Sequence, residues 1–535
     1  MKQPRRQPRK KPRSRPPPRE RKSSFESFTR LDKSAVIILI LAFCVIHWAI
    51  RVFTGPVYTI EEADQLLFSQ SLQVGYEARQ PPLLAWLHAL AIGAGGMFPP
   101  IVFAVKYLLL FVALTFYYLA ARNVLIKPGV SAAAVAAWAL TFQVGWGVHE
   151  DLLGATALMA CLSLTLHAFT RILTWRRYRD WVYLGCAIGL GLLTHHLFVV
   201  FPVAMLIGIV MSPFFRDAVN PGRFAVTLLV VALIYGPYAF WVSTHIGSVS
   251  DAAREYVTSW EIDSAWLDRV GVAAAGFGRT LLEFTLPLSL FWLMLFWGLW
   301  LPILYPMFGR RSTDEEPHEV SWRKLFAMSM MLGVLAYLAA VVFGVQTYKG
   351  YWMMPALFTA PIWMFAHVKR AGDFPVAIRA FAAVVIAFAA LVVTGRFIEW
   401  KMEVTMCDEC RSYTPVREWA RELKEAGFGQ GTIVGADKHL TGNLRGAFPK
   451  TRVLDASIPV ESFPTPSPRA RGACLAVWRD EPIMPEALAD YLEQKLGAGT
   501  LDREPQLAIS ANLLQTANRS ATLYYRFVGS TDLCR

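Results

Sequence analysis

The stretch AVIILILAFCVIHWAI, residues 35–50, decides the class of fold because it contains no Asp, Glu, Lys or Arg. A helix needs about 20 mainly apolar residues to cross the ~30 Å hydrocarbon core of a bilayer. Together with its flanking residues, this stretch predicts a transmembrane helix at 34–53.

Similar apolar runs recur along the chain, which is 55% hydrophobic and 17% charged with a mean hydropathy of +0.37. Such a composition excludes an ordinary soluble domain. We therefore predict an α-helical polytopic membrane protein with about eleven spans. The ten predicted spans after the first are 100–121, 131–147, 152–172, 181–194, 197–213, 224–243, 280–306, 325–344, 353–368 and 376–396.

Residues 1–33 are a basic, Pro-rich segment with thirteen Lys/Arg and three Asp/Glu, and they supply most of the net charge of +13. Its core, RRQPRKKPRSRPPPRERK, has too few apolar residues to fold. We predict a disordered cytoplasmic tail that lies against anionic membrane lipids. No nucleic-acid-binding module follows it, so nucleic acid is not an expected partner. The apolar stretch after it has no small-residue cleavage site, which argues against a cleaved signal peptide.

The distribution of Lys and Arg predicts the orientation. With the N-terminus in the cytoplasm, alternate loops are rich in basic residues and the loops on the outer side are poor in them. An odd number of spans then places the C-terminal region outside. The predicted cytoplasmic loops carry Arg122, Lys127, Arg171, Arg176, Arg177, Arg179, Arg216, Arg223, Arg310, Arg311, Arg323, Lys324, Lys369 and Arg370.

The region 399–535 lacks long apolar runs and is predicted to be a small α/β domain outside the membrane, after a transmembrane catalytic domain at 34–398. Helical spacing marks 416–427 and 486–497, and short strands are expected near 432–438, 451–457, 473–479 and 521–529.

The cysteines agree with an exported C-terminal region. Cys44, Cys161 and Cys186 fall in predicted spans, whereas Cys407, Cys410, Cys474 and Cys534 follow them. Four cysteines in an oxidising compartment predict two disulfides whose pairing the sequence leaves open. The Cys407-x-x-Cys410 spacing is also compatible with a redox or zinc motif, although a structural disulfide is favoured.

The first outward loop is the richest in candidate catalytic groups. Thr59-x-x-Glu62 is a capping-box pattern, so Glu62 either caps a helix or takes part in chemistry. Glu61 lies at the positive start of that helix, where it is placed to accept a proton or to hold a cation, unless it is simply solvated. Residues 62–73 are amphipathic and predict a helix that lies in the membrane interface.

A second polar point, His149-Glu150-Asp151, joins the third and fourth predicted spans on the same side as Glu61. Asp151 precedes the apolar run LLGATALMA and is placed to cap the N-terminus of that helix. Capping and a functional role both remain open.

Cationic candidates lie at the same outer surface. Lys106 contacts phosphate or snorkels to the interface, and His195 and His196 end the fifth predicted span. Lys349 lies in the segment YKGYW with Tyr351, whose aromatic residues alternatively form an interfacial belt. Carboxylates and cations together suit an anionic lipid headgroup and a reaction that needs a base.

Several segments resemble those of bacterial GT-C glycosyltransferases, in the branch of protein O-mannosyltransferases and lipid A aminoarabinose transferases. The similar segments, in order, are Glu61-Glu62-Ala63, QPPLLAW at 80–86, GWGVHEDL at 145–152, GLGLLTHH at 189–196 and KGYWMMP at 349–355. The resemblance covers roughly 34–400. The family usually has Asp where this chain has Glu61, and commonly Lys where it has His195.

The resemblance implies an inverting transferase that moves a monosaccharide from a polyprenyl-phosphate donor to lipid A, the lipopolysaccharide core, another envelope lipid or glycan, or a protein at the periplasmic face of the inner membrane. Glu61 would be the general base, and Glu62 or Asp151 would orient the acceptor or hold a divalent metal ion. The candidates for substrate binding are Arg79, Gln80, Lys106, His149, Glu150, His195, His196, Lys349 and Tyr351. The alternative is a transporter or scaffold without catalysis, although no internal repeat favours a transporter.

Overall fold

The computed structural model describes residues 33–77, 80–125, 127–245, 247, 266–304, 317–342, 345, 348–367, 375–407, 410–466, 472–499, 501–516 and 518–535. The predicted tail therefore lies almost entirely outside the described residues, as do Arg79 and the loop residues Arg310, Arg311, Lys369 and Arg370.

Apolar helices form a bundle, because a polypeptide in hydrocarbon must satisfy its backbone hydrogen bonds internally. Within the described residues, six helices are long and apolar enough to cross a membrane, or seven if one bent pair counts as a span. The predicted number of eleven spans remains a prediction. The six are Lys33–Thr54, Pro99–Val124, Leu153–Trp175, Pro221–Thr244, Pro317–Val342 and the Ile378–Met402 part of Pro375–Met406. A further long helix, Trp266–Leu304, is not among these six.

The remaining predicted spans are shorter or broken. The fifth and sixth correspond to Tyr178–Leu192 and His196–Met211, and the tenth consists of the short helices Gly350–Met353, Met354–Leu357 and Ala360–Ala366. The last long helix continues to Met406, past the predicted end of the transmembrane domain at residue 398.

The third predicted span, 131–147, is not a straight helix. Pro128–Leu140 and Gln143–Glu150 meet at 75°, and the second piece includes a π-helical turn at Gln143–Gly147. The break ends the second piece at Glu150, directly before Asp151 and the long helix Leu153–Trp175.

The first outward loop forms two helices, Ile60–Phe68 and Leu83–Gly95. The first, which we call the loop helix, begins with the predicted capping box between Thr59 and Glu62. It does not have the exposed apolar face of an interfacial helix. Ala63 and Leu66 are buried beside the start of Pro99–Val124, and Leu67 is buried in the core of the C-terminal domain.

The C-terminal region contains a five-stranded mixed sheet within the described residues. The strands are β1 Gly431–Gly435, β2 Arg452–Asp455, β3 Ala473–Arg479, β4 Leu507–Asn512 and β5 Ser520–Val528. Their order in the sheet is β2-β1-β3-β5-β4. Strands β1, β2 and β3 are parallel, and β5 is antiparallel to both β3 and β4. The strand β4 and the helix Lys438–Ala447 were not predicted.

Apolar periodicity explains how this domain is covered. In the helix Val416–Glu425, the residues Val416, Trp419, Ala420 and Leu423 are buried, which is the spacing of one helical face. The cysteines pair as Cys407–Cys410 and Cys474–Cys534, so the Cys-x-x-Cys motif forms a disulfide between neighbours.

Candidate active site

Two helix N-termini meet at the centre of the candidate site and exchange their capping carboxylates. The Glu61 side chain of the loop helix accepts a hydrogen bond from the Gly154 backbone N–H, at the start of Leu153–Trp175, with an Oε2–N distance of 2.8 Å. In return, Asp151 Oδ1 accepts from the backbone N–H of Glu61 at 3.2 Å. We call this arrangement the reciprocal cap. It places both carboxylates at the positive ends of two helices.

The prediction that Asp151 caps its own helix is wrong in detail. Leu152 occupies the cap position of Leu153–Trp175 without a side-chain hydrogen bond in the described residues, and Asp151 reaches the loop helix instead. The sequence could not reveal this exchange, because its two partners are about 90 residues apart.

The surroundings of Glu61 suit a general base. Burial raises the pKa of Glu61 to about 7, and the charge of Asp151 adds to the rise. The Gly154 N–H and the positive charges of Lys106 and Lys349 limit it. Burial also raises the pKa of Asp151. A carboxylate whose pKa lies near neutrality is a stronger base than an ordinary glutamate and is still substantially ionised.

Three of the residues predicted to bind substrate lie near one another. The rings of His195 and Tyr351 meet edge to face with centroids 5.9 Å apart, and the exposed Lys349 is two residues before Tyr351. Lys349 is close enough to affect the charge states of both His195 and Glu61. The structure thus brings together the ammonium group of Lys349, the imidazole of His195 and the phenol of Tyr351, and Lys349 is near enough to Glu61 to lower its pKa.

The imidazole of His195 is held as a neutral hydrogen-bond donor. Its Nδ1 accepts from the Leu197 backbone N–H at 3.1 Å, so the ring proton resides on Nε2. Burial lowers the pKa of His195 to about 4, and His196 and Lys349 contribute to the decrease. The ring therefore remains neutral through the physiological range, and pH sensitivity at this position is not expected.

Glu62 forms buried ion pairs in this structure, and its role in catalysis stays a prediction. Its two oxygens form ion pairs with Arg51 at 2.8 Å and with Lys106 at 3.2 Å, and all three side chains are at least 90% buried. Although burial alone would raise it, these cations hold the pKa of Glu62 at about 2. Glu62 Oε2 also accepts from the Thr59 N–H.

The same contacts bear on two further predictions. Lys106 is completely buried against Glu62, and its predicted contact with a lipid phosphate stays a prediction. A metal ion held by Glu62 and Asp151 does not fit this arrangement, because both Glu62 oxygens are engaged by cations. Within the described residues, no three His, Cys, Asp or Glu side chains form a group suited to a metal.

His149 and Glu150, which directly precede Asp151, have partners of their own. His149 is buried and stacks on His47 with ring centroids 3.7 Å apart, and its predicted contact with substrate stays a prediction. Glu150 is partly exposed beside Arg396, with an N–O distance of 4.0 Å. Arg396 also donates to the His149 carbonyl oxygen at 3.2 Å.

The last two predicted residues that the structure describes differ in position. His196 is exposed and faces the ring of Tyr238 at 6.5 Å. Gln80 accepts from Gln65 of the loop helix at 3.2 Å. The nearby Leu83 N–H donates to the Leu193 carbonyl oxygen at 3.1 Å, which ties the Pro-Pro-Leu motif to the segment before His195.

A cleft of about 260 Å³ opens between the bundle and the C-terminal domain, and Asp151 forms part of its wall. Its walls combine guanidinium, carboxylate and aromatic groups, a mixture able to bind a polar, hydroxyl-rich molecule. The other lining residues with polar or aromatic side chains are Arg51, Thr54, Tyr58, Thr59, Glu150, Arg396, Glu399, Trp400, Arg411, Ser412, Tyr413 and His439.

Sequence reasoning missed several of these groups. Arg51 and Arg396 lie at the ends of predicted spans and were not proposed, because only their carboxylate partners reveal their roles. Asp64 was not proposed either, yet burial raises its pKa to about 7 near Lys438 and Glu77. Its spacing of three residues from Glu61, on the same helical face, was a usable signal.

Known proteins resemble this chain in sequence and in fold. Residues 79–241 match the family model described as dolichyl-phosphate-mannose-protein mannosyltransferase. The lipopolysaccharide core galacturonosyltransferases RgtA and RgtB of Rhizobium johnstonii are 27% and 26% identical, over 87% and 88% of this chain and 92% of each relative. The crystal structure of ArnT from Cupriavidus metallidurans bound to undecaprenyl phosphate has a similar fold, with a TM-score of 0.53 and 14% identity over 91% of this chain and 97% of ArnT.

The helical bundle and the small C-terminal sheet give this chain a fold similar to that of ArnT, and the two relatives that it matches over most of their length are glycosyltransferases. These similarities agree with the resemblance to bacterial GT-C glycosyltransferases drawn from the sequence.

Replacing either of the two adjacent glutamates with glutamine is expected to affect the stability of the protein differently. Glu62→Gln leaves Arg51 and Lys106 buried without their carboxylate, which should cost about 3 kcal/mol or more of stability. Glu61→Gln keeps an oxygen for the Gly154 N–H and should fold normally. The thermal midpoint of detergent-solubilised protein measures both. Equal midpoints for the two variants would contradict the structural role of Glu62.

Proposed function

We propose that the chain transfers a monosaccharide, with inversion, from a polyprenyl-phosphate donor to a hydroxyl group of the lipopolysaccharide core at the periplasmic face of the inner membrane. The reciprocal cap of Glu61 and Asp151 is the observation that carries this proposal. The relatives RgtA and RgtB support a galacturonic acid as the sugar and the core as the acceptor.

The reaction needs only one displacement. Glu61 takes the proton of the acceptor hydroxyl while the hydroxyl oxygen forms a bond to the anomeric carbon. Asp151 orients the acceptor. The bond between that carbon and the phosphate oxygen breaks, and the lipid phosphate leaves with the electron pair. A phosphate is a stable anion, so the site has to stabilise its charge and does not have to protonate it.

The donor phosphate belongs beside Lys349, His195 and Tyr351. Lys349 supplies a positive charge, and the Nε2–H of His195 supplies a neutral hydrogen-bond donor. The undecaprenyl phosphate bound by ArnT supports a lipid carrier of this type, since ArnT shares the fold.

The acceptor belongs in the cleft beside Asp151. The planar guanidinium and aromatic groups of the cleft suit a sugar ring and its hydroxyls. The cleft also adjoins Asp151, one member of the acid pair. A scaffold without catalysis gives no reason for a partly buried carboxylate with a pKa near neutrality, and a transporter is disfavoured because the sequence shows no internal repeat.

Glu61→Gln should abolish transfer because an amide cannot accept the hydroxyl proton. Mass spectrometry of lipopolysaccharide from a deletion strain carrying this variant should show the core without one hexuronic acid. Glu283→Gln, which changes a half-exposed glutamate in another helix, is the matched control and should restore the sugar. Restoration by Glu61→Gln would overturn the assignment of the base.

Activity should fall in acid as Glu61 becomes protonated. With a pKa of about 7, kcat/KM should decrease about tenfold per pH unit below neutrality, and the donor phosphodiester does not titrate in this range. Asp151→Asn removes a negative charge that raises the pKa of Glu61, so the acid limb of its residual activity should move to lower pH. An acid limb that stays in place or moves upward would contradict the coupling.

Lys349→Ala should weaken donor binding, because it removes the positive charge proposed to contact the phosphate. The KM for a purified polyprenyl-phosphate sugar should rise about tenfold or more, the effect of losing one charge-assisted hydrogen bond. Lys450→Ala, at an exposed position of the C-terminal domain, is the control. An unchanged KM in the Lys349 variant would place the phosphate elsewhere.

A further inference from the structure

The loop helix that carries Glu61 is too short to hold its own position. It has nine residues, and isolated helices of fewer than about 12 residues are marginal in water. Its position must therefore come from its neighbours. The transmembrane bundle supplies the ion pairs of Glu62 and the reciprocal cap on one side. The C-terminal domain supplies contacts of a different kind on another.

The helix Lys438–Ala447, here called the docking helix, crosses the loop helix at very close range. A methyl group added at Gly442 would lie 2.5 Å from the Ala63 Cβ and would overlap the Ala63 carbonyl group. A methyl group added at Gly446 would lie 2.5 Å from the Tyr58 ring. Ala63 follows directly after the two glutamates. Glycine at both positions is therefore what allows the two segments to touch.

Asn443, between these glycines, binds the backbone of Tyr58 as a neighbouring strand would. Its Oδ1 accepts from the Tyr58 N–H at 2.9 Å, and its Nδ2 donates to the Tyr58 carbonyl oxygen at 3.0 Å. The same Nδ2 also donates to the His439 carbonyl oxygen. Asn443 and Tyr58 are both almost completely buried, so a lost bond is not replaced by water.

The other end of the loop helix is held in a similar way. The Gln70 side chain donates to the Val453 carbonyl oxygen at 2.8 Å and accepts from the Val453 N–H at 2.9 Å. Val453 lies in β2, the edge strand of the sheet. A Lys438–Glu77 ion pair at 3.1 Å ties the same loop to the start of the docking helix.

We infer that the C-terminal domain is a positioning element of the transferase site, and that Asn443 and Gly442 are positioning residues that hold the loop helix where Glu61 meets Gly154. They contact neither substrate nor reacting atoms, and act through the backbone of 58–63. A displacement of about 1 Å in a reacting group can reduce a rate about a hundredfold, so this support matters for chemistry as well as for folding.

The first arm of the test measures hydrogen exchange, which does not depend on the proposed function. Full-length protein carrying Asn443→Ala or Gly442→Ala should exchange the amides of 58–68 about 5- to 30-fold faster than wild type, as expected for the loss of one or two local bonds. Exchange in β1 and β3 should stay unchanged. Asn518→Ala and Gly529→Ala make the same substitutions at open positions of the same domain and are the controls.

The second arm measures activity and rests on the proposed function. In both variants kcat should fall at least tenfold with less than a twofold change in the KM for the donor, and the acid limb of kcat should shift because the reciprocal cap is loosened. Unchanged exchange at 58–68, or an equal increase across the whole C-terminal domain, would overturn the inference. Faster local exchange without an effect on transfer would overturn the positioning role. Wild-type-like transfer by Glu61→Gln would refute only the proposed function.

Discussion

The reciprocal cap between Glu61 and Asp151 is the constraint on which the candidate site depends. Each carboxylate satisfies a backbone N–H of the other's helix, so neither helix can move without uncapping the other. Peptide N–H groups differ from arginine or lysine as partners in one important respect. They hold a carboxylate in place through partial charges and without a full counter-charge, so burial and the neighbouring acid can still raise its pKa. The geometry is fixed and the basicity is retained.

The adjacent Glu62 shows what happens when full charges replace peptide dipoles. Successive helical residues point about 100° apart, so Glu61 faces the start of Leu153–Trp175 while Glu62 faces Arg51 and Lys106 in two long helices. One glutamate has a pKa of about 7 and the other of about 2. Two identical side chains in one helical turn thereby have opposite pKa shifts. The ion pairs of Glu62 also anchor the helix from which Glu61 projects.

The sequence predicted the features that depend on local or periodic patterns. The apolar runs gave the positions of the long helices, Thr59-x-x-Glu62 gave the capping box, and strand patterns gave β1, β2, β3 and β5. It did not distinguish the roles of Glu61 and Glu62, because both lie in the same motif and only distant partners separate them. It also left the roles of Lys106 and His149 open, because a polar residue near the end of a span has no pattern that tells whether it faces a ligand or a buried partner. The docking helix was missed because Gly442 and Gly446 lower helix propensity, and their reason, the close approach of Ala63 and Tyr58, is a tertiary contact.

The docking helix changes how the two regions of the chain relate to each other. The loop that bears Glu61 precedes most of the bundle in sequence, whereas the residues that hold it, Gly442 and Asn443, follow the last long helix. Glu61 therefore reaches its final surroundings only after the whole chain has been made and the C-terminal domain has folded against the bundle. Until then the loop helix, nine residues long, has little stability of its own. The raised pKa of Glu61 needs burial, and here burial of the loop helix needs the C-terminal domain, so assembly of the fold and the rise in this pKa occur together.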